Sequence, residues 1–313
     1  MQTKSRALAP ILLLVSILFT ASPAPAQKPD SSSTVPVTTV VTVLGPKYSP
    51  PPAVAKDDLS VYQGKDKRDI VSWVPAQGDK AALELAIVID DASSSELGIQ
   101  FTDLTNFIKS QPPSSGVGLF YASNGTVQAA SQFSTDHDAV AKSIRMPFGR
   151  GAAYSSIYLS LMSLISRWPV TGARREILLI ADGIDRFRGD PFSPDVTSTI
   201  DRAQKAGIII HSLFASGVGR ASHNFYRVSL GQANLAQITD ATGGESFFQG
   251  TQTPISFAPF LAQLDTVLKN QFLLTFTSPR SKKEKGELKS FRIRSELRNV
   301  EFSAPDKVLI PGP

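Results

Sequence analysis

The pattern of apolar and polar positions changes twice along the chain. Val35 to Leu44 (VPVTTVVTVL) is rich in β-branched residues and predicts a strand. Gly45 to Ala53 carries four prolines and predicts a loop. Short strands are expected at Leu59 to Tyr62 and Ile70 to Val74, around the turn Gln63-Gly64-Lys65. From Leu83 the pattern becomes an alternation of strands and helices, the signature of an α/β sheet. Strands are expected at Leu85 to Ile89, Val117 to Ala122, Ile177 to Ala181, Ile208 to Phe214 and Ser246 to Phe248. Helices are expected after Phe101 and after Asp136, over Ala153 to Trp168, Pro194 to Ala206 and Ala233 to Ala241, and over Phe257 to Asn270. Asn124-Gly125 signals a tight hairpin, so Thr126 to Ala130 should pair antiparallel with the strand before it. After Asn270 the pattern returns to strands at Phe272 to Thr277, Ser290 to Ser295 and Val300 to Ser303. The charged run from Ser281 to Glu287 reads as a solvated hairpin tip between the first two.

Two of the apolar runs end in acids. LELAIVIDDASSSE, Leu83 to Glu96, delivers Asp91, Ser93 and Ser95 to the end of a buried parallel strand. ILLIA, Ile177 to Ala181, ends at Asp182-Gly183. Carboxylates at the C-terminal ends of two buried strands suit the crevice of an open α/β sheet. The D-x-S-x-S spacing of Asp91, Ser93 and Ser95 can turn three hard oxygens toward one point, a donor set suited to Mg²⁺ or Mn²⁺. Ser93-Ser94-Ser95-Glu96 is equally a capping box opening the next helix. Asp90 should point away from Asp91 and bond to a loop, and Asp185 should lie in a solvated turn.

LELAIVIDDASSS and EILLIADGIDRF resemble the first and fourth strands of a von Willebrand factor type A (VWA) domain. Asp91, Ser93 and Ser95 match the first motif of that family's metal-ion-dependent adhesion site, and Asp182 matches the aspartate of the third. The flanks resemble exported bacterial proteins with a VWA-related domain, in Lys56-Asp57-Asp58-Leu59-Ser60-Val61-Tyr62-Gln63-Gly64-Lys65 and in Phe272 to Pro279. The resemblance implies a doubly wound, mostly parallel sheet of order 3-2-1-4-5-6 with helices on both faces. A small β-rich module from the two flanks would lie beside it. It also implies Mg²⁺ or Mn²⁺ held by Asp91, Ser93 and Ser95, its waters oriented by Asp182, and a protein partner that completes the shell with an acidic residue. One position departs from the family: Gly151 stands where a threonine ligand is usual. A metal-free site is therefore the alternative.

Lys4 and Arg6, the apolar run Ile11 to Phe19 and Ala24-Pro25-Ala26 read as a signal peptide over residues 1–26. A disordered linker is expected at 27–34, β segments at 35–80 and 271–313, and the VWA-like domain at 83–270. Without the leader the chain has 30 basic and 27 acidic residues, a net of +3, too weak a balance to argue for nucleic acid. There are no cysteines, so disulfides and thiolate metal sites are excluded. No later apolar stretch is long enough to span a bilayer, so a secreted, periplasmic or envelope location follows. His211 reads as a core residue and His137 as a helix start. No nucleophile–base pair, zinc spacing or phosphate loop is present, so an enzyme is not expected. The expectation is an exported protein that binds another exported or surface protein through the loops at the strand C-termini. The alternative is a metal-free scaffold of the cell envelope.

Overall fold

The computed structural model describes residues 34–149, 156–187 and 194–313. The expected leader, Gly151, and residues 27–33 of the expected linker lie outside the described residues; Thr34 already belongs to a strand. In chain order the first elements are β1 (Thr34–Leu44), β2 (Leu59–Gln63), β3 (Asp66–Arg68), β4 (Ile70–Pro75) and β5 (Leu83–Asp90). They are followed by α1 (Phe101–Lys109), β6 (Ser115–Ser123), β7 (Thr126–Ser134), α2 (His137–Lys142) and α3 (Ile157–Arg167). Next come β8 (Arg174–Ala181), α4 (Pro194–Ala206), β9 (Ile208–Phe214), α5 (Phe225–Thr242), β10 (Ser246–Phe247) and α6 (Ala258–Lys269). The chain ends with β11 (Gln271–Pro279), β12 (Glu287–Ser290), β13 (Arg292–Ser295), β14 (Glu301–Ser303) and β15 (Lys307–Ile310).

The central sheet has six strands in the order β10-β9-β8-β5-β6-β7. Five run parallel, and β7 returns antiparallel to β6 through the two-residue turn at Asn124 and Gly125, both in the left-handed region. Numbered within the core this is 3-2-1-4-5-6. Side-chain alternation splits each central strand between two hydrophobic layers. Leu85, Ile87 and Ile89 of β5 pack with α1 and α6, while Ala86 and Val88 pack with α3, α4 and α5. Both faces are covered, which is why β5 and β8 read as near-continuous apolar runs.

The flanks meet in a separate β module. β11 pairs with both β1 and β4, and β14 joins the other edge of β1. β2 pairs with β3 and β13, and β12 pairs with β15. Val37, Val41, Val61, Leu274, Phe276, Phe291 and Ile310 form the common core. Isolated hairpins are marginal in water, so short strands from the two flanks are stable only together.

Three expectations are corrected. The turn at Gly64 joins β2 to the short β3, and β4 then leaves for the other sheet, where it pairs with β11. The charged run 282–285 is exposed as expected, but it is not a hairpin tip, because β11 and β12 lie in different sheets. The helix before β10 is also longer than expected and begins at Phe225, capped by the side chain of Asn224.

The module covers the N-terminal end of the central sheet. Beneath it lies a buried polar cluster. Arg174 donates to Gln271 Oε1 at the start of β11, to Leu268 O and to Ala81 O, and pairs with Glu176 at 3.4 Å. His211 Nε2 lies 2.8 Å from Glu176 Oε2, and its Nδ1 accepts from Glu245 N. The Nδ1 acceptor leaves the ring proton on Nε2, where it is donated to the carboxylate. His211 is thus a satisfied core histidine, as the sequence suggests.

Candidate functional site

At the opposite end of the sheet the strands deliver their acids. Asp90, Asp91 and Asp182 are all buried. Two backbone bonds tie the loop after β5 to the loop after β9, Ser94 N to Ser216 O and Val218 N to Ala92 O, and together they make an antiparallel bridge between Ser93 and Gly217. Asp91 and Asp182 thus stand at the adjacent ends of β5 and β8.

Each carboxylate is held by an arginine. Asp91 Oδ1 and Oδ2 accept from Arg145 Nη1 at 2.7 Å and Nη2 at 2.8 Å, a two-pronged charge-assisted pair. Phe148 N adds a third donor at 3.1 Å. The Arg145 guanidinium stacks on Tyr121 at 3.7 Å and Phe148 at 4.2 Å from the ring centroids. The Tyr121 hydroxyl donates to Arg145 O and accepts from Arg145 N, which fixes the backbone at the same residue. Asp182 pairs with Arg186, four residues on, through both of its oxygens. It also accepts from Ile184 N, Gly217 N and Ser222 Oγ. Close approach makes this possible: a Cβ on Gly217 would lie 2.5 Å from Asp182 Oδ2. Gly183, at φ 71°, and Gly231 let α5 press its backbone onto the Asp182 loop.

Asp90 accepts from Ala92 N at 2.9 Å, the loop bond expected of it, and its other oxygen lies 3.8 Å from Arg186 Nη1. Burial pushes the Asp90 carboxyl up to about 6, with Asp182 and Asp91 adding to the rise and Arg186 opposing it.

The serines separate. Ser93 Oγ is buried without a hydrogen-bond partner, whereas Ser95 is exposed. The helix cap is Ser94, one residue later than the first position of the expected capping box, and it accepts from Glu96 N. Asp185 is buried rather than solvated, and it caps Phe187 N at 3.0 Å. Arg145 and Arg186 went unread in the sequence. The available signals were a basic residue four positions after Asp182 on its own loop, and a basic residue, Arg145, in the loop after α2.

The order 3-2-1-4-5-6 is the arrangement that the sequence resemblance implies, and its antiparallel third strand is the pairing expected from Asn124-Gly125. The α/β core has the VWA fold. No protein-family model matches the chain, and no curated protein matches it. Solved VWA structures resemble it at low identity. A von Willebrand factor type A protein from Catenulispora acidiphila is 9% identical over 91% of this chain and 75% of that one, with a TM-score of 0.44. The ArnB paralog VWA2 from Sulfolobus acidocaldarius is 9% identical over 90% and 76%, with a TM-score of 0.39. An aerotolerance-related membrane protein from Bacteroides fragilis is 13% identical over 60% and 98%, with a TM-score of 0.42.

The rim of the VWA domain is apolar. Eleven large hydrophobic side chains are exposed among the described residues, and all but Val71, Val74 and Val170 lie at the C-terminal end of the sheet. Ile99 follows β5, Met146 and Phe148 surround Arg145, Phe187 follows β8, Phe225 and Tyr226 open α5, and Phe248 and Ile255 follow β10. Among the described residues no helix is long and apolar enough to cross a membrane.

Proposed function

We propose that the chain is an exported protein that binds another protein through the loops at the C-terminal end of its VWA sheet, by recognition rather than catalysis. The observation that carries this is the gathering of exposed Ile99, Phe148, Phe187, Phe225, Tyr226 and Ile255 on one rim. Scattered apolar residues need no explanation, but exposed apolar side chains on successive loops of one sheet end, with Phe148 stacked on an anchored arginine, have the makeup of an interface core. Export is supported by the leader-like residues 1–26.

The metal-free scaffold reading uses the same rim or, in the form that capture can distinguish, the β module. In its favour, Arg145 and Arg186 already neutralise Asp91 and Asp182. A capture experiment separates the two readings. The native protein, an Ile99→Ser/Phe148→Ser/Phe225→Ser variant and a Val71→Ser/Val170→Ser control are used as bait in an extract of exported proteins. The docking reading expects a captured species that the rim variant loses and the control keeps. Loss in the control alone would assign the contact to the scaffold surface.

A further inference from the structure

The oxygens that a divalent ion would need at this rim are taken. Asp182 accepts five hydrogen bonds, from Ile184 N, Gly217 N, Ser222 Oγ and two Arg186 nitrogens. A carboxylate offers about four lone-pair sites, so Asp182 is saturated. Asp91, whose side chain is 0% exposed, has both oxygens in the fork of Arg145. Ser95 stands exposed, outside the cluster. Of the four residues expected as ligands, only Ser93 keeps a buried oxygen without a partner. The described residues therefore do not fit a complete metal shell.

Charge leads to the same result. Asp90, Asp91 and Asp182 crowd neighbouring strand ends, and two guanidiniums that cannot lose their protons offset them. A divalent cation could reach Asp182 only after Arg186 withdrew. That side chain is 6% exposed and is also held by Ser222 Oγ and Ile184 O. The guanidinium fork reproduces what the ion would supply at the carboxylates, positive charge in a fixed direction, without any open coordination position.

We infer that this chain carries its own cations: Arg145 and Arg186 stand in for the divalent metal of an adhesion site, and the rim holds its arrangement without metal. The inference extends the docking reading but is tested without a partner, so the two can fail separately.

The test is a calorimetric titration of the leaderless chain with Mg²⁺ and with Mn²⁺, beside thermal melts in chelator and in excess metal. A site with a dissociation constant of about 0.1 mM would raise the melting temperature by several degrees at about 10 mM metal. The native protein should give no binding heat and superimposable melts; a saturable site that shifts the melt would overturn the inference. Arg145→Ala, which removes both guanidinium donors from Asp91, should melt lower in chelator and give a saturable Mn²⁺ binding heat that the native protein lacks. Arg145→Gln, which keeps a donor to Asp91, replaces it if the alanine variant does not fold. A folded variant with no gain in Mn²⁺ affinity would mean that the arginine is not what excludes the metal.

Discussion

At the N-terminal end of the sheet, Arg174, Glu176 and His211 form an ion cluster sealed under the β module. At the C-terminal end, Arg145 with Asp91 and Arg186 with Asp182 use the same chemistry under an open rim. The side chains of Arg174 and Arg186 are equally buried, at 6% exposed. The two ends part at Arg145, whose side chain is 32% exposed and is ringed by Met146 and Phe148. A buried arginine–carboxylate pair therefore does not by itself mark a functional surface. On the proposed docking reading, the difference lies in the uncovered apolar residues beside the pair. Under the module the same residue types staple two layers, with Arg174 reaching across to Gln271.

The largest effect is expected at the sealed end. Glu176→Ala leaves the Arg174 guanidinium buried without its carboxylate and His211 Nε2 without its acceptor. Losing one partner of a buried pair should cost about 3–5 kcal/mol, read from urea unfolding, while partner capture by the folded fraction persists. A loss below about 1 kcal/mol would mean that this cluster is no staple.

Asp90 is expected to have the next largest effect, and it is pH-dependent. Its carboxyl sits at about 6 in the folded protein against a reference of 3.8, so the folded state holds the proton more tightly. Its contribution is fully present below the reference value and is lost as pH rises through about 6. Across that window it removes up to about 3 kcal/mol of stability, with no further change above. Asp90→Asn keeps an acceptor for Ala92 N and should flatten the urea midpoint between about pH 4 and 6, relative to native. An unchanged profile would assign the slope to other groups.

How far the two ends were legible in sequence differs for physical reasons. β5 and β8 announce themselves because strands buried on both faces are apolar throughout, and the acids that end them stand out. The hairpin at Asn124-Gly125 is legible because only residues tolerant of positive φ suit that turn. The Arg145 pairing is not legible, because Arg145 is 54 positions from Asp91 and a basic residue in a loop is ordinarily solvated; Arg186, four positions after Asp182, left a local signal. β3 (DKR) and β15 (KVLI) are defined by their partners rather than by their own pattern, so the sheet membership of the flanks stayed hidden. Asp185 was misread for a related reason, since burial of a polar loop residue depends on what folds over it.

Two smaller effects sharpen the comparison at the open end. Gly217→Ala would set a methyl against Asp182 Oδ2 and Arg186 Nη2. It should cost about 1–3 kcal/mol in unfolding measurements, whereas a neutral result would show that the Arg186 pair can shift freely. Phe148→Ser should change stability by no more than about 0.5 kcal/mol, because its ring is exposed. Its effect should be on binding, with captured partner falling at least about tenfold, the order of an aromatic hot spot. Destabilisation with binding intact would make Phe148 a packing residue for Arg145.

The most direct measurement is amide hydrogen exchange of the protein with and without its captured partner. The expected result is slowed exchange at 91–100, 144–149 and 215–227, with the β1–β11–β4 sheet unchanged. Protection confined to that sheet, with the rim exchanging as in the free protein, would contradict the account.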